Sequence, residues 1–237
     1  MSLIVSHDVF QTLVRTLSEL AEPDSTDVWP AAQLEYLSEA GGYHWNIPME
    51  FGGDGADGAE MLEIYRELAS GSLLTTFILT QRNAACQRIQ TSDNDAIKSK
   101  LLPALCRGEI FATVGISHLT TSRQHLKSPP VVVIPDENSN GYRLTGTVPW
   151  ATGVAVADIL VTGGTLADGR QILTALPTSR EGVKIQTPIA LMGLSSAQTS
   201  VVNLDNVLVG SDEILHGPVE RVMSSGAGGG AGSLGTS

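Results

Sequence analysis

The sequence predicts an α+β chain: an N-terminal all-helical domain over 1–108, an antiparallel β domain over 109–217, and a short final piece over 218–237. Three observations carry that division. Apolar residues recur at helical spacing as far as Gly108, whereas from Glu109 the apolar runs become short, β-branched and separated by turn clusters. After His216-Gly217-Pro218 a helical start, VERVM, passes into the glycine-rich SSGAGGGAGSLGTS. That last piece reads either as the opening of a C-terminal helical domain or as a flexible tail.

The helices follow in order. Leu3, Ile4, Val9, Phe10, Leu13, Val14, Leu17 and Leu20 share one helical face, and Glu22-Pro23-Asp24 closes the run. A second helix runs from about Pro30 to Ala40, opened by a proline and stopped by Gly41-Gly42. Asp57 and Glu60 have the spacing of a capping box for a helix through Met61, Ile64, Tyr65 and Leu68. The apolar LLTTFILTQRNAACQRI comes next. Asp93 or Asp95 then starts DAIKSKLLPALCRGE, in which Pro103 should bend or restart the helix and Gly108 should end it.

The β runs are IFATVGI, PVVVIP, YRLTGTV, ADILVTG, QILTALP, VKIQTP and TSVVNLDNVLVG. DENSNG and LADG are the clearest hairpin signals between them. About seven strands in so short a span suit an antiparallel barrel or a sandwich. Between two of these runs the segment LTGTVPWATGVAVADILV puts Trp150 and Thr152 at what reads as a strand interruption, where a tight turn would need only Asn, Asp and Gly.

Composition excludes several functions. The 237 residues are 42% apolar and 16% charged, with a formal net charge of −11 and no Lys/Arg run, so the chain folds and lacks the electrostatic footprint of a nucleic-acid binder. Cys86 and Cys106 form no CxxC, and the five histidines have no ligand spacing, so no metal is expected. The N-terminal residues carry neither a secretory signal nor a membrane span, and a cytoplasmic location is expected. Gly53, Gly55 and Gly58 match GxGxxG formally, yet no buried strand precedes them and Asp54 and Asp57 sit where a pyrophosphate would bind; they read as a loop and helix cap.

Taken together, IPMEFGG, YRELASGS, AIKSKLLPALCRGE, IFATVGIS, LTGTVPWATGVAVADILV and MGLSSAQTSVVNLDNVLVGSDEIL resemble the acyl-CoA dehydrogenase family, in the family's order, over about residues 30 to 217. The resemblance implies an N-terminal helical domain, a middle β-barrel, and a C-terminal helical bundle of which only the opening is present. It also implies FAD as cofactor and oxidation of the Cα–Cβ bond of an acyl-CoA, with hydride passing to flavin N5.

In those terms Trp150 matches the tryptophan that packs along the isoalloxazine, and Thr152 the hydroxyl at its N5 side. Val114 and Ile116 supply strand backbone near the flavin. The family's TEPGAGSD loop is SHLTTSRQ here: Ser117 keeps a hydroxyl for the flavin, while His118 and Ser122 occupy the substrate-binding places. Ser195 stands where arginine is common. The catalytic base belongs to the C-terminal domain, and no carboxylate here aligns with it.

The resemblance further implies an acyl-CoA or related small molecule as substrate, an electron-transfer flavoprotein or oxygen as acceptor, and a homodimer or homotetramer. The altered loop and His118 leave room for a flavin-dependent monooxygenase of the same fold, and the altered loop and the chain end for a non-catalytic ligand-binding relative.

Overall fold

A computed structural model describes residues 6–21, 28–120 and 129–225. Five α-helices come first among them: α1 (His7–Glu19), α2 (Ala31–Glu39), α3 (Gly58–Gly71), α4 (Leu73–Gln90) and α5 (Asp95–Cys106). Eight strands follow: β1 (Ala112–Val114), β2 (Val131–Asp136), β3 (Gly141–Ala151), β4 (Ile159–Thr165), β5 (Gln171–Pro177), β6 (Val183–Ile185), β7 (Ser200–Gly210) and β8 (Ile214–Val219).

The helix ends obey local chemistry. Asp57 accepts from the amides of Ala59 and Glu60 at 2.8 and 2.9 Å, while Glu60 accepts from the Asp57 amide at 3.0 Å; this is the capping box, and it satisfies donors the first turn leaves open. Ser72 ends α3 and its hydroxyl caps α4. Asn94, rather than either neighbouring aspartate, caps α5. Pro103 lies inside α5 without ending it, because the helix continues only to Cys106 and Gly108 then takes a positive φ of 68°.

The sheet runs β6-β7-β3-β2-β4-β5-β8, with β1 attached to β4. It is antiparallel except where β1 and β2 meet β4. DENSNG and LADG make the β2–β3 and β4–β5 hairpins as expected. Ile214–Val219 forms an eighth strand that sequence periodicity missed, since Gly217 and Pro218 disguise it. VERVM is correspondingly not an α-helix: Val219 ends β8, and among the described residues a 3-10 turn, Val222–Ser224, follows.

Both faces of β4 and β5 are covered, which is why their sequences read as continuous apolar runs instead of alternating ones. Ile159, Val161, Leu173 and Ala175 pack against Ala85, Cys86 and Ile89 of α4 and Leu101, Leu102 and Leu105 of α5. Leu160, Ile172 and Leu176 face the other way, into a curled interior with Val148, Val202 and Val207. One core therefore joins the helices to the sheet, and the sheet encloses a second.

Within the helical layer Arg82 is completely buried. Its guanidinium donates to the carbonyls of Leu105 and Tyr43 and to Asn83 Oδ1, and it lies 4.0 Å from the centre of the Tyr43 ring. Burial pushes the hydroxyl of Tyr43 and the thiol of Cys86 up, and that of Tyr65 to about 12, so these neighbours stay neutral. Arg82 is thus held by carbonyl dipoles and a ring face, and it ties α4 to the end of α5 and to the loop before α3.

Candidate flavin site at the β1 edge

The end of β3 lies beside β1. Thr113 Oγ1 donates to the Thr152 carbonyl at 2.7 Å, and Gly115 packs so closely on Val148 that a Cβ there would come within 2.6 Å of Val148 Cγ1. Trp150 is the penultimate residue of β3, inside the irregularity that breaks the β3–β7 ladder between Val148 and Ala151, so the interruption expected from the sequence falls within the strand rather than in a turn. The turn begins at Thr152. The two residues consequently present very different surfaces: Trp150 is 42% exposed, while Thr152 is 2% exposed with its Oγ1 on Thr199 Oγ1 at 3.1 Å.

The β1 backbone supplies the second part. Gly115 donates to Val161 O at 2.9 Å, and Phe111 O accepts from Asp158 and Ile159 amides, so the odd positions of this segment hydrogen-bond toward β4. By the alternation of a parallel ladder, the N–H and C=O of Val114 point to the opposite edge, where no described strand pairs with β1. Its side chain packs into the core with α4. Ile116 lies two residues on, half-buried, with its carbonyl taken by the Leu119 amide at 2.9 Å in the 3-10 turn Ser117–Leu119.

Ser117 opens that turn, and its Oγ is buried without a hydrogen-bond partner among the described residues. An unpartnered buried hydroxyl costs about 1–3 kcal/mol, so such a group marks a place where a ligand atom would be favourable. His118 turns inward instead: it is 6% exposed, and its Nε2 donates to Gly163 O at 2.9 Å, the tautomer being set by that carbonyl. In this geometry the ring tethers the loop to β4. Ser122 lies outside the described residues.

Three further features went unseen in the sequence. Leu194 and Gln198 flank the 3-10 turn Ser195–Ala197 with φ of 59° and 47°, a conformation unfavourable for residues with a Cβ. The amide of Gly153 is shared by the carbonyls of Ala197 and Gln198 at 3.0 and 3.2 Å. Trp29, ahead of α2, sets the edge of its indole on Gly153. No local sequence signal marks Trp29, because its contact joins the residues before α2 to the turn after β3. Among the described residues no group of His, Cys, Asp or Glu could hold a metal ion, and no helix is long and apolar enough to cross a membrane.

Residues 7–109 match the family model described as the N-terminal domain of acyl-CoA dehydrogenases. A dibenzothiophene monooxygenase of Rhodococcus qingshengii is 29% identical over 200 residues, covering 81% of this chain and 46% of that protein. The chain thus spans about half the length of these curated relatives. Two solved structures share the fold. The FMN- and indole-bound TdsC of Paenibacillus sp. A11-2 superposes with a TM-score of 0.76 at 21% identity, over 89% of this chain and 52% of that one. Butyryl-CoA dehydrogenase of Megasphaera elsdenii superposes with a TM-score of 0.79 at 19% identity, over 99% of this chain and 65% of that one. With its helical layer, its sheet and their order all accounted for, the chain has the acyl-CoA dehydrogenase fold, and its residues 7–109 match that family's N-terminal domain.

Proposed function

We propose that this chain forms the helical and sheet portions of an FAD-dependent oxidoreductase, and that the flavin lies against Trp150 and the open edge of β1. The observation that carries this is the combination of an exposed indole at the end of β3 with a β1 edge that no described strand pairs. Similarity to flavoproteins of the acyl-CoA dehydrogenase family supports the cofactor, and three features fit it. The Trp150 indole offers a flat apolar face. The outward N–H and C=O of Val114 suit the alternating donors and acceptors along the edge of a fused pyrimidine ring. Ser117 Oγ has hydrogen-bonding capacity unmet among the described residues.

Bound flavin would supply a two-electron acceptor able to take a hydride. This chain's residues would bind and orient. Trp150 excludes water from one side of the ring, Val114 and Ser117 fix its register, and Thr152 holds the turn through Thr199 instead of offering an open hydroxyl. His118 keeps the loop 117–119 on β4. The base that takes the α-proton is assigned to residues outside this chain.

Dehydrogenation of an acyl-CoA thioester is the first reading of the whole enzyme's reaction, with an electron-transfer flavoprotein or oxygen as acceptor and a homodimer or homotetramer as its assembly. Monooxygenation is the second, favoured by the SHLTTSRQ loop with its inward-turned His118 and by the similarity to dibenzothiophene monooxygenases. An anaerobic absorbance titration of the protein from its complete reading frame separates them. Bleaching of the flavin band by one member of an acyl-CoA panel supports dehydrogenation. A band inert to every acyl-CoA, with oxygen transfer to a small aromatic heterocycle once reduced flavin is supplied, supports the second reading.

A further inference from the structure

Trp29 stands before α2, far in sequence from Trp150, yet it touches the turn that follows it. A Cβ built on Gly153 would come 2.6 Å from Trp29 Cη2 and 2.8 Å from its Cζ3, so the indole edge rests on the Gly153 backbone itself. Gly153 has a φ of 63°, within the region that favours glycine. The indole is held in place by an edge-on contact with Phe111, at 6.1 Å between ring centres and 87° between planes, and by packing against the buried cluster of Leu34, Ile78 and Ala197. Trp29 therefore bridges α2, α4, the start of β1 and the strained Ser195–Ala197 turn.

The turn it touches is gripped from two other directions. Thr113 Oγ1 holds the Thr152 carbonyl, and the carbonyls of Ala197 and Gln198 hold the Gly153 amide. Each of these grips is a hydrogen bond that fixes the backbone along one line. Trp29 supplies the remaining constraint, pressing the turn toward the sheet from the helical side. Trp150 is only three residues from Gly153, so movement of this turn would be passed to the indole at the end of β3.

We propose that Trp29 is a positioning residue for the flavin: through Gly153 it sets the pose of Trp150 from a helical layer that does not itself supply the platform. The inference rests on the flavin reading above and adds to it a residue to which the sequence resemblance gives no role. It also gives a physical reason for glycine at position 153, where any side chain would collide with the indole that fixes the turn.

The test uses the protein from its complete reading frame, labelled with 5-fluorotryptophan. The tryptophans of residues 1–237 are Trp29, Trp45 and Trp150, and the resonances of Trp45 and Trp150 are identified by their loss in Trp45→Phe and Trp150→Phe. Trp29→Leu removes the flat edge, and Trp29→Phe keeps an aromatic one. Trp29→Leu is expected to shift or broaden the Trp150 resonance while that of Trp45 stays in place, and to weaken FAD binding about tenfold in a fluorescence titration. Trp29→Phe should recover most of the affinity.

Unchanged FAD affinity with an unmoved Trp150 resonance in folded Trp29→Leu would overturn the proposal. So would loss of affinity with Trp150 unmoved, because Trp29 would then act by another route. A wild-type protein that binds neither FAD nor FMN, yet whose Trp150 resonance responds to Trp29→Leu, would sink the flavin reading while supporting the coupling of the two tryptophans.

Discussion

Trp45 and Trp150 are the same side chain put to opposite uses. Trp45 is 1% exposed, packs 5.9 Å from the Phe10 ring, and belongs to the cluster of α1, α2 and α3 that also holds Leu17, Leu37 and Ile64. Trp150 stands at the end of a strand with 42% of its surface open. Burying an indole stabilises the fold by removing its large apolar area from water, whereas leaving one exposed forgoes that gain. The difference teaches where the molecule reserves surface: the helical layer encloses its aromatics, and the edge of β1 with the end of β3 does not.

The largest expected effect breaks the first half of that contrast. Trp45→Ala should cost about 3–5 kcal/mol of folding stability, measured by urea unfolding, because the cavity cannot be refilled by its tightly packed neighbours. A loss below about 1 kcal/mol would show that the helical cluster is far looser than described. Trp150→Ala tests the second half. Folding stability should change by less than about 1 kcal/mol, while flavin affinity falls by at most about 3 kcal/mol. If stability falls as it does for Trp45→Ala, Trp150 is a core residue and the contrast fails.

Smaller effects sharpen the picture at its margins. Asp57→Ala removes the acceptor for two α3 amides and should cost about 1 kcal/mol, with flavin affinity untouched, since the cap lies in the enclosed layer. The smallest effect is a pH dependence. His216, on β8, is buried, and desolvation holds its pKa below the ordinary 6.5, with Asp93 opposing and Arg88 reinforcing that shift. The folded protein thus binds its proton less readily than the unfolded chain. Stability from this group is full above about pH 6.5 and is lost as pH falls from there toward the lowered folded value. His216→Gln should flatten the unfolding midpoint across that window; an unaltered acid slope would assign it to other groups.

Much of the architecture was legible from particular residues. The capping box of Asp57 and Glu60, the Gly41-Gly42 stop and the DENSNG and LADG hairpins all act within a few residues, so local sequence determines them. β8 was hidden because Gly217 and Pro218 break the alternation that marks a strand, and its pairing with β5 depends on residues far away in the chain. The site divides in the same way. Trp150 stood out as a tryptophan with no local reason to be there, but its exposure and the burial of Thr152 depend on β1 and Thr199. His118 could be located on a loop, while the direction of its ring is set by Gly163, on a strand more than forty residues later. Trp29 was invisible as a site residue because its contact with Gly153 exists only once the helices are packed on the sheet.

The central claim is that the open edge of β1 and Trp150 receive a flavin. The measurement that meets it most directly is a fluorescence titration of FAD into the protein from its complete reading frame, run beside Trp150→Ala. Saturable binding that weakens in Trp150→Ala, with the two proteins unfolding at the same urea concentration, is the predicted result. No binding of FAD, or equal binding by both proteins, would contradict the account.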